Sequence, residues 1–177
     1  MNKQEIRKEI KSVKLNISKE GKEAAAIEVM NKIEALPQFI GAKNILLYNA
    51  LPDELPTECM LNKWDKEKNL FLPVVDGENL IIKRYDKEFV RVGAFGIIEP
   101  LGDNVDSKII DFIIVPGVAF DKNLNRLGRG KGYYDRLLSE SNAFFAGVGY
   151  HIQVLDKIPV EEHDIKMNCI ITEREIL

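Results

Sequence analysis

The sequence predicts an α/β fold with parallel strand pairs, and three observations carry that prediction. Four apolar runs, ILLYNA (45–50), LFLPVV (70–75), DFIIVPG (111–117) and FFAGVGY (144–150), have the length of buried strands and are too short to be helices of their own. Other segments repeat apolar residues every three or four positions, as amphipathic helices do. Strands alternating with helices argue for a sheet with parallel pairs. The 177 residues, 45% hydrophobic and 30% charged, suit a single domain over residues 1–177 with a sizeable core.

The elements follow in order. Ile6, Ile10, Val13 and Ile17 line one face of an opening helix. Ser18 is placed to cap a second helix through EAAAIEVMNKIEAL, which Pro37 ends. After ILLYNA comes LPDELPTE, whose two prolines forbid regular structure, and Thr57 can cap a helix through Trp64. LFLPVV and LIIKRY (80–85) read as strands joined by a turn at Asp76-Gly77. Residues 86–108 hold Gly93, Gly96, Pro100 and Gly102 with weak periodicity and read as mostly irregular. Pro116-Gly117 stops the strand DFIIVPG, and a helix starts near Gly132 and runs through YYDRLLSES. FFAGVGY and NCIITE (168–173) supply the last strands.

Charge and composition exclude several functions. A formal net charge of −3 and a pI near 5.6 disfavour a protein that coats nucleic acid, which needs a cationic footprint. Cys59 and Cys169 stand far apart with no CxxC pattern and read as small core residues. The charged start MNKQEIRKEIK is no signal peptide, and no apolar run approaches the roughly 20 residues that span a bilayer. A cytoplasmic protein is expected.

RLGRGKGYYD (126–135) is the segment that points to chemistry. It is not a P-loop, because Gly130-Lys131 is followed by Gly132 and Asn125 stands where the first glycine belongs. It is not a dinucleotide fingerprint, because residue 133 is Tyr. Its physics still points to an anion. Glycines let backbone N–H groups approach a ligand closely. Arg126, Arg129 and Lys131 can pair with phosphate or carboxylate oxygens, and the helix that follows turns its positive end the same way. Asp135, one turn into that helix, can hold Mg²⁺. The alternative is a solvated glycine-rich turn with its tyrosines in the core. Two further alternatives are a non-catalytic sensor of a phosphorylated ligand and an RNA-stacking module, the latter disfavoured by the acidic pI.

The longer stretch PGVAFDKNLNRLGRGKGYYDRLL (116–138) resembles the signature of the 5-formyltetrahydrofolate cyclo-ligase family, with every part of the motif present. The likeness extends to KQEIR, in which Lys3 and Arg7 stand one helical turn apart; it implies that both hold ATP phosphates, where the residues alone read as a solvated helix face. It extends to Glu54-Leu55-Pro56-Thr57, in which Glu54 corresponds to a folate-binding acid, with Asn49 lining the same pocket. It covers GAFGIIEP, whose Phe95 would pack on the pterin or be a core phenylalanine, and VEEHDIKMN (160–168), whose Asp164 would join Asp135 at the metal while His163 is incidental. Two positions depart from the family pattern: Pro56 stands where many members have an acid, and Val74 where many have Arg.

The resemblance implies a three-layer α/β/α sandwich with a central, largely parallel sheet, as in the sugar-phosphate isomerase and CoA-transferase group. It implies ATP- and Mg²⁺-dependent closure of 5-formyltetrahydrofolate to 5,10-methenyltetrahydrofolate, with ADP and phosphate released. Arg126, Leu127, Gly128 and Tyr134 would contact ATP. Arg129, Gly130, Lys131, Gly132 and Tyr133 would meet both ATP and the reacting end of the folate, with Lys131, Arg129 and Tyr133 as catalytic groups. The expected partners are these small molecules alone, with neither nucleic acid nor membrane, and the expected state is a monomer.

Overall fold

A computed structural model of the chain describes residues 1–93 and 96–177. The chain opens with helix α1, Lys3–Lys14. Asn2 caps it in a reciprocal box: its side chain accepts from the Gln4 and Glu5 amides, and Glu5 accepts from the Asn2 amide. Ile6 and Ile10 are buried as expected, but Val13 is exposed and Lys14 takes the third inward position at 3% exposure. Helix α2, Lys19–Glu34, is capped by Ser18, which accepts from the Gly21 amide at 3.0 Å. The helix stops just ahead of Pro37, with Leu36 already extended. Pro37 also starts a short third helix, α3 at Pro37–Gly41, occupying the first-turn position where a missing N–H costs nothing.

Strand β1, Asn44–Leu46, is shorter than the apolar run that carries it, although residues 45–48 are all buried. Helix α4, Glu58–Trp64, follows. Thr57 precedes it without capping it, because its hydroxyl donates instead to the Tyr48 carbonyl at 2.8 Å. Strands β2 (Asn69–Asp76) and β3 (Asn79–Arg84) form the expected hairpin, with Gly77 at a φ of 60° in the turn. The described part of segment 86–108, residues 86–93 and 96–108, is more ordered than its periodicity implies. It contains a small antiparallel hairpin, β4 (Val90–Val92) with β5 (Ile98–Pro100), and the edge strand β6 (Asn104–Val105).

Strand β7 is Phe112–Pro116. It leads into three very short strands that the sequence reading did not foresee: β8 (Ala119–Asp121), β9 (Arg126–Leu127) and, later, β11 (Val154–Leu155), which form a separate small sheet in the order β11-β8-β9. Two or three residues carry too little alternation to be read as strands. Between them come helix α5 (Tyr133–Ser139) and strand β10 (Phe144–Val148), and β12 (Cys169–Ile171) closes the main sheet.

The main sheet has seven strands in the order β12-β10-β7-β1-β2-β3-β6. The first five pair in parallel, and β3 and β6 are antiparallel additions. Along β7, Phe112 and Ile114 pack with α2, α3 and α4, whereas Ile113 and Val115 pack with Leu137 and Leu138 of α5, so helices cover both faces. That double burial explains the near-continuous apolar runs in the sequence. The chain runs from β1 to its neighbour β2 on one side and later to β7 on the other. Connections therefore leave the carboxyl ends of β1 and β7 in opposite directions and open a crevice between them, the usual ligand position in an open α/β sheet. Among the described residues, no helix is long and apolar enough to cross a membrane.

Candidate active site at the carboxyl edge of the sheet

Two loops meet at this crevice. Residues 51–57 follow β1, and the glycine loop follows β7 by way of β8 and β9. The turn that launches the glycine loop is fixed by Asp121. Its carboxylate is wholly buried and accepts from the amides of Asn123, Asn125 and Ile158 and from the Asn125 side chain, at 2.9–3.1 Å. Burial pushes this carboxyl up, and the four donors outweigh it, so it lies below the ordinary carboxylate range. Gly130 and Gly132 have φ of +94° and +67°, conformations that side-chain-bearing residues resist. A Cβ on Gly130 would also lie 3.4 Å from the Arg7 guanidinium, and one on Gly132 would lie 2.6 Å from that of Arg136.

The cations expected at the loop take different positions. Arg7 reaches in from α1, with Nε donating to the Gly128 carbonyl at 2.8 Å. Arg126 is 5% exposed and lies beneath the loop, where Nη2 meets Asp135 Oδ2 at 3.0 Å, Nη1 meets the Pro116 carbonyl at 3.3 Å and the guanidinium covers the Tyr134 ring. Among the described residues its buried Nε has no hydrogen-bond partner. Arg129 crosses the crevice to Asp53 Oδ1 at 2.6 Å and Glu54 Oε1 at 3.1 Å. Lys131 is exposed, and among the described residues its ammonium has no hydrogen-bond or ion-pair partner.

The two tyrosines divide. Tyr133 lies at the surface of the crevice, its hydroxyl donating to the Gly77 carbonyl at 3.3 Å and its ring beneath the Arg136 guanidinium. Tyr134 packs into both core clusters, and burial with the nearby Glu54 charge drives its phenol well above the usual range. Glu54 is enclosed: Oε2 accepts from the Leu51 amide at 2.9 Å, and its carbonyl accepts from the Tyr150 hydroxyl at 3.1 Å. Asn49 donates to the Ile98 carbonyl and so ties the end of β1 to the β4–β5 hairpin. Phe95, expected on the pterin, lies outside the described residues. Val74 is buried in β2 opposite Ile81, so that position offers no polar contact.

Lys3 is turned toward the other flank. Its ammonium donates to Asp164 Oδ2 at 2.7 Å and lies 3.1 Å from Glu161. Burial pushes the Asp164 carboxyl up, but Lys3 and the Glu161 amide pull it further down, to below its ordinary value. The segment bearing Asp164 reaches Asp135 through its backbone, the Ile165 amide lying 3.4 Å from Asp135 Oδ1. Both carboxylates are hard-oxygen donors of the kind Mg²⁺ takes beside phosphate oxygens, and each is already ion-paired, Asp135 with Arg126 and Asp164 with Lys3. Glu161, His163 and Asp164 also bring one possible ligand atom each within 4.8 Å of the others, with His163 and Glu161 exposed.

The sequence reading missed Lys14, Asp53 and Tyr150. Lys14 Nζ donates to the Asp53 carbonyl at 2.7 Å and to its carboxylate at 2.9 Å. The signal for Lys14 was present, because positions 3, 7 and 14 fall on one helical face with Ile10. Asp53 and Tyr150 carried no local signal. A separate cleft of about 510 Å³, lined by Ile17, Ala25, Ile27, Tyr150 and Glu173 among others, contains none of the loop residues.

The profile of the 5-formyltetrahydrofolate cyclo-ligase family matches residues 1–173. A probable 5-formyltetrahydrofolate cyclo-ligase of Schizosaccharomyces pombe is 32% identical, covering 88% of this chain and 87% of the relative. The 5-formyltetrahydrofolate cyclo-ligase of Haemophilus influenzae is also 32% identical, covering 93% and 94%. The NMR structure of Aquifex aeolicus 5,10-methenyltetrahydrofolate synthetase superposes with a TM-score of 0.89 at 37% identity, covering 99% of this chain and 92% of that one. The chain therefore belongs to the 5-formyltetrahydrofolate cyclo-ligase family, enzymes of folate one-carbon metabolism.

Proposed function

We propose that this chain, as a single domain, closes the ring of 5-formyltetrahydrofolate with ATP and Mg²⁺ by phosphorylating the formyl oxygen. A formamide carbon is a weak electrophile and its oxygen a poor leaving group. Transfer of the γ-phosphoryl group to that oxygen, with release of ADP, makes it a good one. N10 of the folate then attacks the activated carbon and gives up its proton, and the C–O bond breaks so that the formyl oxygen departs as part of phosphate. Phosphoryl transfer requires alignment and charge neutralisation more than a protein nucleophile, and the crevice offers cations and backbone donors.

The observation that carries the reading is the cationic glycine loop itself: Arg7 reaches in to the Gly128 carbonyl and lies against Gly130, Arg129 and Lys131 are borne on the same turn, and Glu54 meets Arg129 from the β1 side. Lys131, the cation without a partner among the described residues, would meet the transferring phosphoryl group. Arg129 and the amides of Gly130 and Gly132 would cradle the phosphates, with Lys3, Arg7 and Tyr133 at the margins. Arg126 would act from below, holding Leu127, Gly128 and Tyr134 in place. Glu54 and Asn49 would take the polar edge of the pterin, with Tyr133 against its ring. Asp135 and Asp164 would hold Mg²⁺, which when bound neutralises phosphate charge. Helices on both sheet faces and parallel central strands support a three-layer α/β/α sandwich like that of the sugar-phosphate isomerase and CoA-transferase group. The chain would act as a cytoplasmic monomer.

Labelling the formyl oxygen with ¹⁸O tests the route. The label is expected in the phosphate released during turnover. Phosphate carrying solvent oxygen, with the label lost elsewhere, would rule out phosphorylation at that atom.

A further inference from the structure

One loop cation is turned away from the place a phosphate would occupy. Arg129 spans two carboxylates, Asp53 at 2.6 Å and Glu54 at 3.1 Å. The second oxygen of Asp53 is held at 2.9 Å by Lys14, whose ammonium also binds the Asp53 carbonyl at 2.7 Å. Lys14 is 3% exposed, so packing fixes its charge where it stands. The second oxygen of Glu54 takes the Leu51 amide at 2.9 Å. Two cations and two anions thus balance, and every carboxylate oxygen already has a donor. Within this quartet the most exposed member is Arg129. Its side chain is 43% exposed against 11% for Glu54, and it is borne on a glycine loop.

We propose that Asp53, anchored by the buried Lys14, is a holding position for Arg129, and that a polyphosphate on the glycine loop draws Arg129 off it and so frees Glu54 for the folate. This rests on the function proposed above and adds two positioning residues, Lys14 and Asp53, and an order of binding. Phosphate oxygens compete with carboxylates for a guanidinium, which pairs bidentately with either. When Arg129 leaves, the quartet becomes net negative and Glu54 loses its cation, so its oxygen can accept from the N–H groups of a pterin edge. The nucleotide bears the cost of separating Arg129 from its two acids, and the folate binds after that cost has been met. The two ligands therefore favour each other, reciprocally.

The two positioning residues act with opposite sign. Asp53→Asn removes the holding charge, and the nucleotide should bind more tightly. Lys14→Met removes the charge that offsets Asp53, which then holds Arg129 harder, and the nucleotide should bind more weakly. A purely structural role for the pair would weaken binding in both. The test is calorimetric titration of the full chain with the β,γ-imido analogue of ATP and Mg²⁺, and separately with 5-formyltetrahydrofolate with and without that analogue. The expected result is an analogue Kd about 5-fold lower in Asp53→Asn and higher by a similar factor in Lys14→Met. Wild-type folate affinity should rise about 5-fold in the presence of the analogue, a gain that shrinks in Asp53→Asn, where Glu54 alone still holds Arg129. Should Lys14→Met fail to fold, the direction in Asp53→Asn decides alone. Unchanged or weaker analogue binding in Asp53→Asn overturns the holding position, as do shifts of the same sign in both variants. A wild-type chain that binds the analogue but no folate under either condition would instead overturn the proposed function, while the analogue titrations would still decide the position of Arg129.

Discussion

At the scale of single residues, the loop separates a cation left exposed from one that is buried and ion-paired beneath it. Arg126 is buried under the loop against Asp135, whereas Lys131 is exposed with no partner among the described residues, although both stand in the same decapeptide. The expected consequences differ accordingly. Lys131→Ala should leave the fold and its melting temperature intact and lower turnover by about 10²-fold or more, the usual cost of losing a group that neutralises transition-state charge. Steady-state kinetics beside a thermal melt checks this, and a wild-type rate in that variant removes Lys131 from the chemistry. This distinction was invisible in RLGRGKGYYD, because spacing shows which residues share a loop and says nothing of which way each side chain turns. Arg129 was singled out by the loop's own chemistry, and Glu54 only through the family resemblance. That they face each other was not legible, since 75 residues separate them and only the strand order brings them together.

At the scale of elements, legibility followed length and burial. The strands from LFLPVV, DFIIVPG and FFAGVGY and the Ser18-capped helix emerge close to where the sequence places them, because each repeats its pattern for several residues. The two- and three-residue strands around the glycine loop had no such pattern, and their geometry is set by contacts from elsewhere, including the Asp121 carboxylate. The Phe120 ring shows how tightly β8 is fixed to the main sheet. It is wholly buried, and a Cβ on Gly147 in β10 would come within 2.7 Å of it, with Met167 at 3.0 Å. Gly147→Ala should therefore destabilise the chain by about 1–3 kcal/mol through overpacking, as measured by urea unfolding. An unchanged midpoint would mean that Phe120 can shift freely, and that the platform under the loop is looser than described.

At the scale of the whole molecule, the sheet supplies the crevice and the charge network supplies its pH limits. Asp53, Asp121 and Asp164 each lie below the ordinary carboxylate range; in all three burial raises the carboxyl, and hydrogen bonds and neighbouring cations lower it by more. A group depressed in the folded state contributes stability above its unfolded pKa of about 3.9 and loses it as pH falls through the folded value. Unfolding midpoints should hold from neutral pH to about 5 and fall steeply below about 4, and Asp121→Asn should be less stable at neutral pH with a shallower acid decline. A midpoint that rises on acidification would contradict the network. The α/β class was legible from strand and helix alternation, whereas the crevice between β1 and β7 needed the strand order. The account stands most directly on one measurement, near-UV absorbance of the full chain mixed with 5-formyltetrahydrofolate, ATP and Mg²⁺ while ADP is counted. The predicted result is ATP-dependent growth of the methenyl band with one ADP per product. ADP formed without that band, or no turnover of either, would contradict it.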